Sequence, residues 1–415
     1  MHELLKLYNR IVQRVNINLR ELNFDITPFA QELIQPDNMN KFYAFYGITP
    51  DHPLDLDFQH SALAGSYFLG KCRITNSVLY KSDIRGDELK RKGHVFKYDR
   101  FDIPLTRDEA IIIDDSALVK TLVHNFSHDP ETPETFFIKD TLAMDYSNIH
   151  GAPSDGCFLG PFATVDLTTM RDCAIGAYSY IQAGEIYHLD IDPGTVWVNS
   201  PHNFNFLYTY PVKQLSQYVS LSPEHIPWGT LFDFIDNHKE AFQRVFDVVN
   251  LEAIESIPAT ASLDRYAVVL PTTKIEDNVL IAQRAYLENS FLGKGSNAQE
   301  NCFIINSHLS GFNVTAHGAK LICTHLGSGV FTGFNSFIYG KEDAPVSVGK
   351  GSIIMPHTII DIDEPLEIPD NYLVWGLIRN SRELMENSVS LNELEKIETS
   401  FSRGRMHFEG KGLSL

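Results

Sequence analysis

Residues 286–339 can be written as three 18-residue lines, YLENSFLGKGSNAQENCF, IINSHLSGFNVTAHGAKL and ICTHLGSGVFTGFNSFIY, with glycine in one column at Gly293, Gly311 and Gly329. An apolar or small residue also opens each group of six: Leu292, Ala298, Ile304, Ser310, Ala316, Ile322, Ser328 and Phe334. A helix would need apolar spacings of three and four, and an ordinary strand would need alternation between turns. A period of six inside eighteen suits a short strand plus a corner, with three units closing one triangular coil and successive coils stacking their strands in parallel. Stacking buries the opening residues in a column. The glycine column marks a corner where the backbone needs positive φ or close approach.

The rest of the chain fits this solenoid with excursions. At 415 residues the length alone suggests two or three domains, but a solenoid is one continuous core. Lys+Arg number 34 against 53 Asp+Glu, a net charge of −19 that repels phosphate backbones and anionic lipid, so neither nucleic acid nor membrane is an expected partner. The opening MHELLKLYNRIVQRVNINLREL is interrupted by charges and has no signal-peptide core or membrane span, which leads to a cytoplasmic expectation. The five cysteines, Cys72, Cys157, Cys173, Cys302 and Cys323, lack a CxxC pair and read as small core residues.

Residues 1–55 form the N-terminal cover. Leu5, Tyr8, Val12, Val15, Leu19 and Leu22 make a helical stripe, read as a helix packed on the solenoid's end or flank, with a short coiled-coil contact as the alternative. The first part of the solenoid, 56–203, has Phe68, Ile74 and Tyr80 six apart, as are Leu159 and Val165, and Ile175 and Ile181. A charged loop at about 88–109 breaks the period and suits a hairpin. From 204 to 261 the spacing of Leu231, Phe234, Ile235, Phe242, Val245, Phe246 and Val249 predicts an inserted helical subdomain. The solenoid resumes over 262–378. Residues 379–415 read as C-terminal helices and an aperiodic tail, with Asn380 or Ser381 before Glu383, and Ser390 with Glu393, as caps.

The 18-residue coil with glycine corners resembles the hexapeptide-repeat left-handed β-helix superfamily, which includes acyltransferases and the γ-class carbonic anhydrases. The resemblance covers roughly 60–87, 110–200 and 262–378. It implies a mainly β fold, a left-handed parallel β-helix with helical insertion and helical termini, and a homotrimer with sites between subunits. Ile84-Arg85-Gly86-Asp87 is similar to the Arg-Gly-Asp corner of γ-carbonic anhydrases, which makes Arg85 and Asp87 candidates for an interface ion pair. Pro161 and Asp166 stand where that family's paired zinc histidines would, so no metal is expected. Pro369-Asp370-Asn371-Tyr372-Leu373-Val374-Trp375-Gly376 is similar to the acyltransferases' last coil, which makes Val374 and Gly376 candidates for contact with CoA; Leu377-Ile378-Arg379 replaces the usual Pro-Ala.

Acyl transfer from acyl-CoA or a similar thioester to a hydroxyl or amine of a small molecule needs a base near the acceptor, commonly histidine in this superfamily. The regular block supplies His308, His325 and His317. Read at 18 residues per coil, His308 and His325 fall one column out of step on adjacent strands about 5 Å apart. Lower-ranked candidates are His124 and His128 with Asp129 and Glu131, His188 and His202 with Asp190 and Asn199, and His357. Two other readings stand beside acyl transfer: a non-catalytic trimeric scaffold, and a γ-carbonic-anhydrase-like lyase with unorthodox ligands.

Overall fold

The computed structural model describes residues 2–410 except 32, 35–37, 39–40, 42, 50–51, 87–88, 99–100, 125–135, 201–202, 248–256, 265 and 398. The chain divides into two compact units, Met1–Pro201 and His202–Leu415. Each contains a parallel β-helix with three sheets, and in each the inward side chains form one apolar core. No helix among the described residues is long and apolar enough to cross a membrane.

The most regular coils are shorter than eighteen residues, although the step from Ser262 to Leu280 is eighteen and that from Phe331 to Ile353, across an excursion, is longer. In the second unit Phe291 pairs with His308 and His308 with His325, and Ile304 pairs with Leu321 and Leu321 with Ile338, which is 17 residues per coil. In the first, Leu142, Phe158, Ala174 and Asp190 are successive partners, which is 16. The corners explain both numbers. Each turns on one residue of positive φ: Arg284, Asn289 and Gly295, then Asn301, Asn306 and Phe312, then Gly318, Cys323 and Gly329, in steps of five, six and six. In the first unit Asp140, Tyr146, Gly151, Gly156, Phe162 and Leu167 follow in steps of six, five and five. Two sides of that triangle are short, against one in the second unit.

The glycine column expected at 293, 311 and 329 therefore combines two requirements. Gly311 and Gly329 have positive φ, whereas at Gly293 an added Cβ would lie 2.5 Å from the Ser310 carbonyl oxygen of the next coil. In the 17-residue register Gly293 stacks above Ser310 and Gly327, and Gly349 extends the column: a Cβ there would meet the Asp370 nitrogen at 2.4 Å. Gly329 instead has nothing within 4 Å of its Cβ position and φ +71°. Gly349→Ala is expected to cost roughly 1–3 kcal/mol through overpacking against backbone, and Gly329→Ala about 1 kcal/mol through its left-handed φ. Denaturation midpoints test this; the reverse order would remove close approach as the reason for glycine at 349.

In the first unit the N-terminal helix, α1 (His2–Leu19), lies on the flank of the coil stack. Tyr8, Ile11, Val15 and Leu19 are buried in a cluster with Val78, Val119, Leu142 and Phe158. Ile11, not Val12, completes the buried stripe. Arg10 reaches the corner residue Asp115 at 2.9 Å and Arg14 reaches Asp140 at 3.4 Å. The charged excursion contains the expected hairpin, Val95–Tyr98 against Phe101–Pro104.

In the second unit the insertion is less helical than its apolar spacing predicts. Phe204–Thr209 is a strand, antiparallel to Met406–Gly410, which also pairs with Ser400–Arg403, so most of the aperiodic tail is sheet. The helix α2 (Thr230–Asp247) sets Phe234 on Phe303 and Phe337, and Phe242 on Tyr286 and Phe303. The last coil is closed by Ser388–Ser390, antiparallel to Tyr372–Val374, which occupies an edge that would otherwise expose unpaired backbone. Asn380 caps its helix by accepting from the Glu383 N–H at 2.9 Å, while Ser390 makes no side-chain cap bond, so the second capping box does not form.

Candidate active site

In the second unit the residues Ala316-His317-Gly318-Ala319 make a corner closed by the Ala319 N–H donating to the Ala316 carbonyl at 3.1 Å. Gly318, at φ +70°, supplies the left-handed residue that such a turn requires. Its N–H donates to the Glu300 carbonyl of the preceding coil at 2.8 Å. The same step brings the Glu300 side chain beside His317: Nδ1 and Oε2 are 2.7 Å apart, and the two side chains are 16% and 13% exposed. The His317 ring lies 4.9 Å from Phe334. A carboxylate can only accept here, so Nδ1 carries the proton and the lone pair of the neutral imidazole is on Nε2. This is the tautomer and the orientation of a general base whose cation the neighbouring carboxylate stabilises.

His308 and His325 are direct ladder partners and face the same way, which corrects the out-of-step placement drawn from an 18-residue coil. Both are exposed, their rings 6.3 Å apart, with Phe291 stacked 4.6 Å from His308. Among the described residues no carboxylate lies within ion-pair distance of either. Val374 points into the core, and the Gly376 carbonyl accepts from the Ile359 N–H and the Tyr210 hydroxyl, so the CoA candidates offer no side-chain contact. His357 is a corner residue at φ +62° whose carbonyl accepts from the Tyr210 hydroxyl. His188 is 3.8 Å from Asp172 rather than facing Asp190.

The first unit gathers a second group, whose members the sequence offers separately or not at all. Arg85, His124, His150 and Asp166 occupy one register position on four successive strands. All four are buried. His150 Nδ1 meets Asp166 Oδ1 at 2.6 Å, the Tyr180 hydroxyl donates to Asp166 Oδ2 at 2.8 Å, and the His124 and His150 rings are 5.0 Å apart. Burial and Asp166 push the Tyr180 hydroxyl well above its ordinary pKa, so it remains a donor. The carboxylate fixes the orientation of His150 in the way that outer-sphere carboxylates orient metal-bound histidines. His128, Asp129, Glu131, His202 and Asp87 lie outside the described residues.

His150 and Tyr180 escaped the sequence reading, and Asp166 was read only as standing in a zinc histidine's place, because their alignment depends on a 16-residue step and 25 residues intervene between the ladder partners His124 and His150. Glu300 escaped it by one position: at 18 residues per coil it stacks on Gly318, at 17 on His317.

The family described as "Hexapeptide repeat including loop" matches residues 101–223. A crystal structure from Desulfovibrio desulfuricans G20, described as a "putative acetyltransferase", is 48% identical over 99% of this chain and 89% of that one, with a TM-score of 0.88. A Bacillus cereus protein of the same description aligns at 13% identity over 30% of this chain and 81% of its own, with a TM-score of 0.16 that supports no comparison. No curated protein matches the chain. With nearly its whole length shared at 48% identity and a coil stack in each unit, the chain belongs to the hexapeptide-repeat superfamily of left-handed parallel β-helix proteins.

Proposed function

We propose that the protein transfers an acyl group from acyl-CoA or a similar thioester to a hydroxyl or amine of a small metabolite or sugar, with His317 as the general base. The observation that carries this reading is the 2.7 Å contact between His317 Nδ1 and Glu300. The acceptor's oxygen or nitrogen attacks the thioester carbonyl as Nε2 takes its proton. Collapse of the tetrahedral adduct breaks the C–S bond, and the imidazolium returns the proton to the departing thiolate. Glu300 stabilises the imidazolium between the two transfers. The kinship with the Desulfovibrio protein supports the reaction class and leaves the acceptor open.

Thiol release from acetyl-CoA, followed with a thiol reagent across a panel of sugars, amino sugars and amino acids, tests the reading. Acceptor-dependent release is expected. Failure to bind acetyl-CoA in native mass spectrometry, together with no release for any acceptor, would overturn it.

A further inference from the structure

α2 packs on Tyr286, Phe303 and Phe337, which lie in one outward column with Lys320 and Ile359, successive partners on one sheet. Four of these are aromatic or aliphatic, and all five are buried. Lys320 is the exception in kind. A lysine at such a position opposes the local pattern, and conflicts of this kind gather where a site needs the group. Methionine or leucine would fill the same space without burying an ammonium.

The ammonium is held in one direction. Lys320 Nζ donates to the Gly318 carbonyl at 2.7 Å and lies 5.7 Å from the centre of the Phe303 ring. Gly318 is the residue after His317, and its own N–H is already bonded to Glu300. Three bonds therefore fix this corner: Ala319 to Ala316, Gly318 to Glu300, and Lys320 to Gly318. The first two close the turn and tie it to the coil before it. The third restrains the Gly318–Ala319 peptide plane, and with it the direction in which His317 leaves the corner.

We infer that Lys320 is a positioning residue for the His317–Glu300 pair, its buried ammonium gripping the Gly318 carbonyl so that the imidazole stays in register with the carboxylate. The catalytic consequence rests on the acyl-transfer reading; the structural role does not. A charge-assisted bond to a carbonyl is stronger than a neutral one, which gives a reason for lysine here in place of an apolar residue.

The test is ¹⁵N NMR of protein labelled at histidine, with the His317 signals assigned by their disappearance in His317→Gln. Wild type is expected to show His317 predominantly protonated at Nδ1. In Lys320→Met, which removes a buried charge and so keeps the fold, a mixture of tautomers is expected, together with a roughly tenfold lower kcat at unchanged KM. Glu300→Gln is the positive control for loss of the preferred tautomer. A His317 spectrum in Lys320→Met that matches wild type would overturn the inference whatever the turnover. If the spectrum changes but His317→Gln turns over normally, the positioning role stands and the acyl-transfer assignment falls.

Discussion

Replacing His317 by alanine is expected to lower acceptor-dependent CoA release by roughly 10²–10⁴-fold, the usual contribution of a positioned general base. The corner that carries it is closed by backbone bonds, from Ala319 to Ala316 and from Gly318 to Glu300, so the turn survives loss of the ring and the melting temperature should move little. Glu300→Gln keeps the histidine but no longer fixes its tautomer, and should lower release by up to about 10⁴-fold, as when the orienting carboxylate of a Ser-His-Asp triad becomes an amide. His308→Ala and His325→Ala are the controls. Both rings sit on an exposed ladder with no carboxylate in ion-pair distance among the described residues, and each variant should retain most of the activity. A loss at either comparable to that at His317 would move the base to the ladder, and undiminished turnover in His317→Ala would remove this corner from the chemistry.

The fold was legible in the sequence because an apolar residue roughly every six positions is a strong constraint that survives small errors of register. Leu292, Ala298 and Ile304 do point into the core, as the hexad reading requires. The next expected positions, Ser310, Ala316 and Ile322, do not; the ladder partners of Leu292 and Ile304 are Leu309 and Leu321. The slip is one residue per coil, and its cause lies in the corners. Phe162, Leu167, Phe312 and Cys323 adopt positive φ where a sequence reader looks for glycine or asparagine, so the short sides leave little trace.

The candidate site suffered more from that slip than the fold did, because a side-chain pair across coils depends on the step being right to the residue. His317 was legible as a histidine in the regular block, and Glu300 was not legible as its partner. The His308–His325 pair was found, but its geometry was misread by one column. Lys320 was invisible for a different reason. Its neighbours on the ladder are sequence-distant, and the helix packed on those neighbours, α2, comes from an insertion whose docking face no local pattern specifies.

Lys320 also leads to a stability effect of unexpected sign: Lys320→Met should be more stable than wild type at pH 7. Desolvation holds the Lys320 ammonium at a pKa of about 8 against its ordinary 10.5. At 1.36 kcal/mol for each pH unit that fall corresponds to about 3 kcal/mol, less whatever the bond to Gly318 returns. Between pH 8 and 10.5 the unfolded chain binds this proton and the folded chain does not, so the lysine's penalty, complete below pH 8, is relieved as pH rises through that window. The groups around it act differently. Tyr286 and Cys302 are pushed up to about 12, as is Cys72 in the other unit, and these keep their protons in the folded state after the unfolded chain has lost them, so their contribution falls as pH rises. His238 of α2 lies over Tyr286 and Phe303 and is present in both proteins. The wild-type curve alone would therefore mix opposing slopes, and the difference between wild type and Lys320→Met removes those common to both, leaving the lysine and its charge coupling to Cys302. Chemical denaturation at pH 7, 8, 9 and 10 should give a gap in favour of Lys320→Met that narrows steadily above pH 8. A gap that stays constant across this range would mean that Lys320 titrates alike in the folded and unfolded chains, and that its ammonium is not desolvated beneath α2.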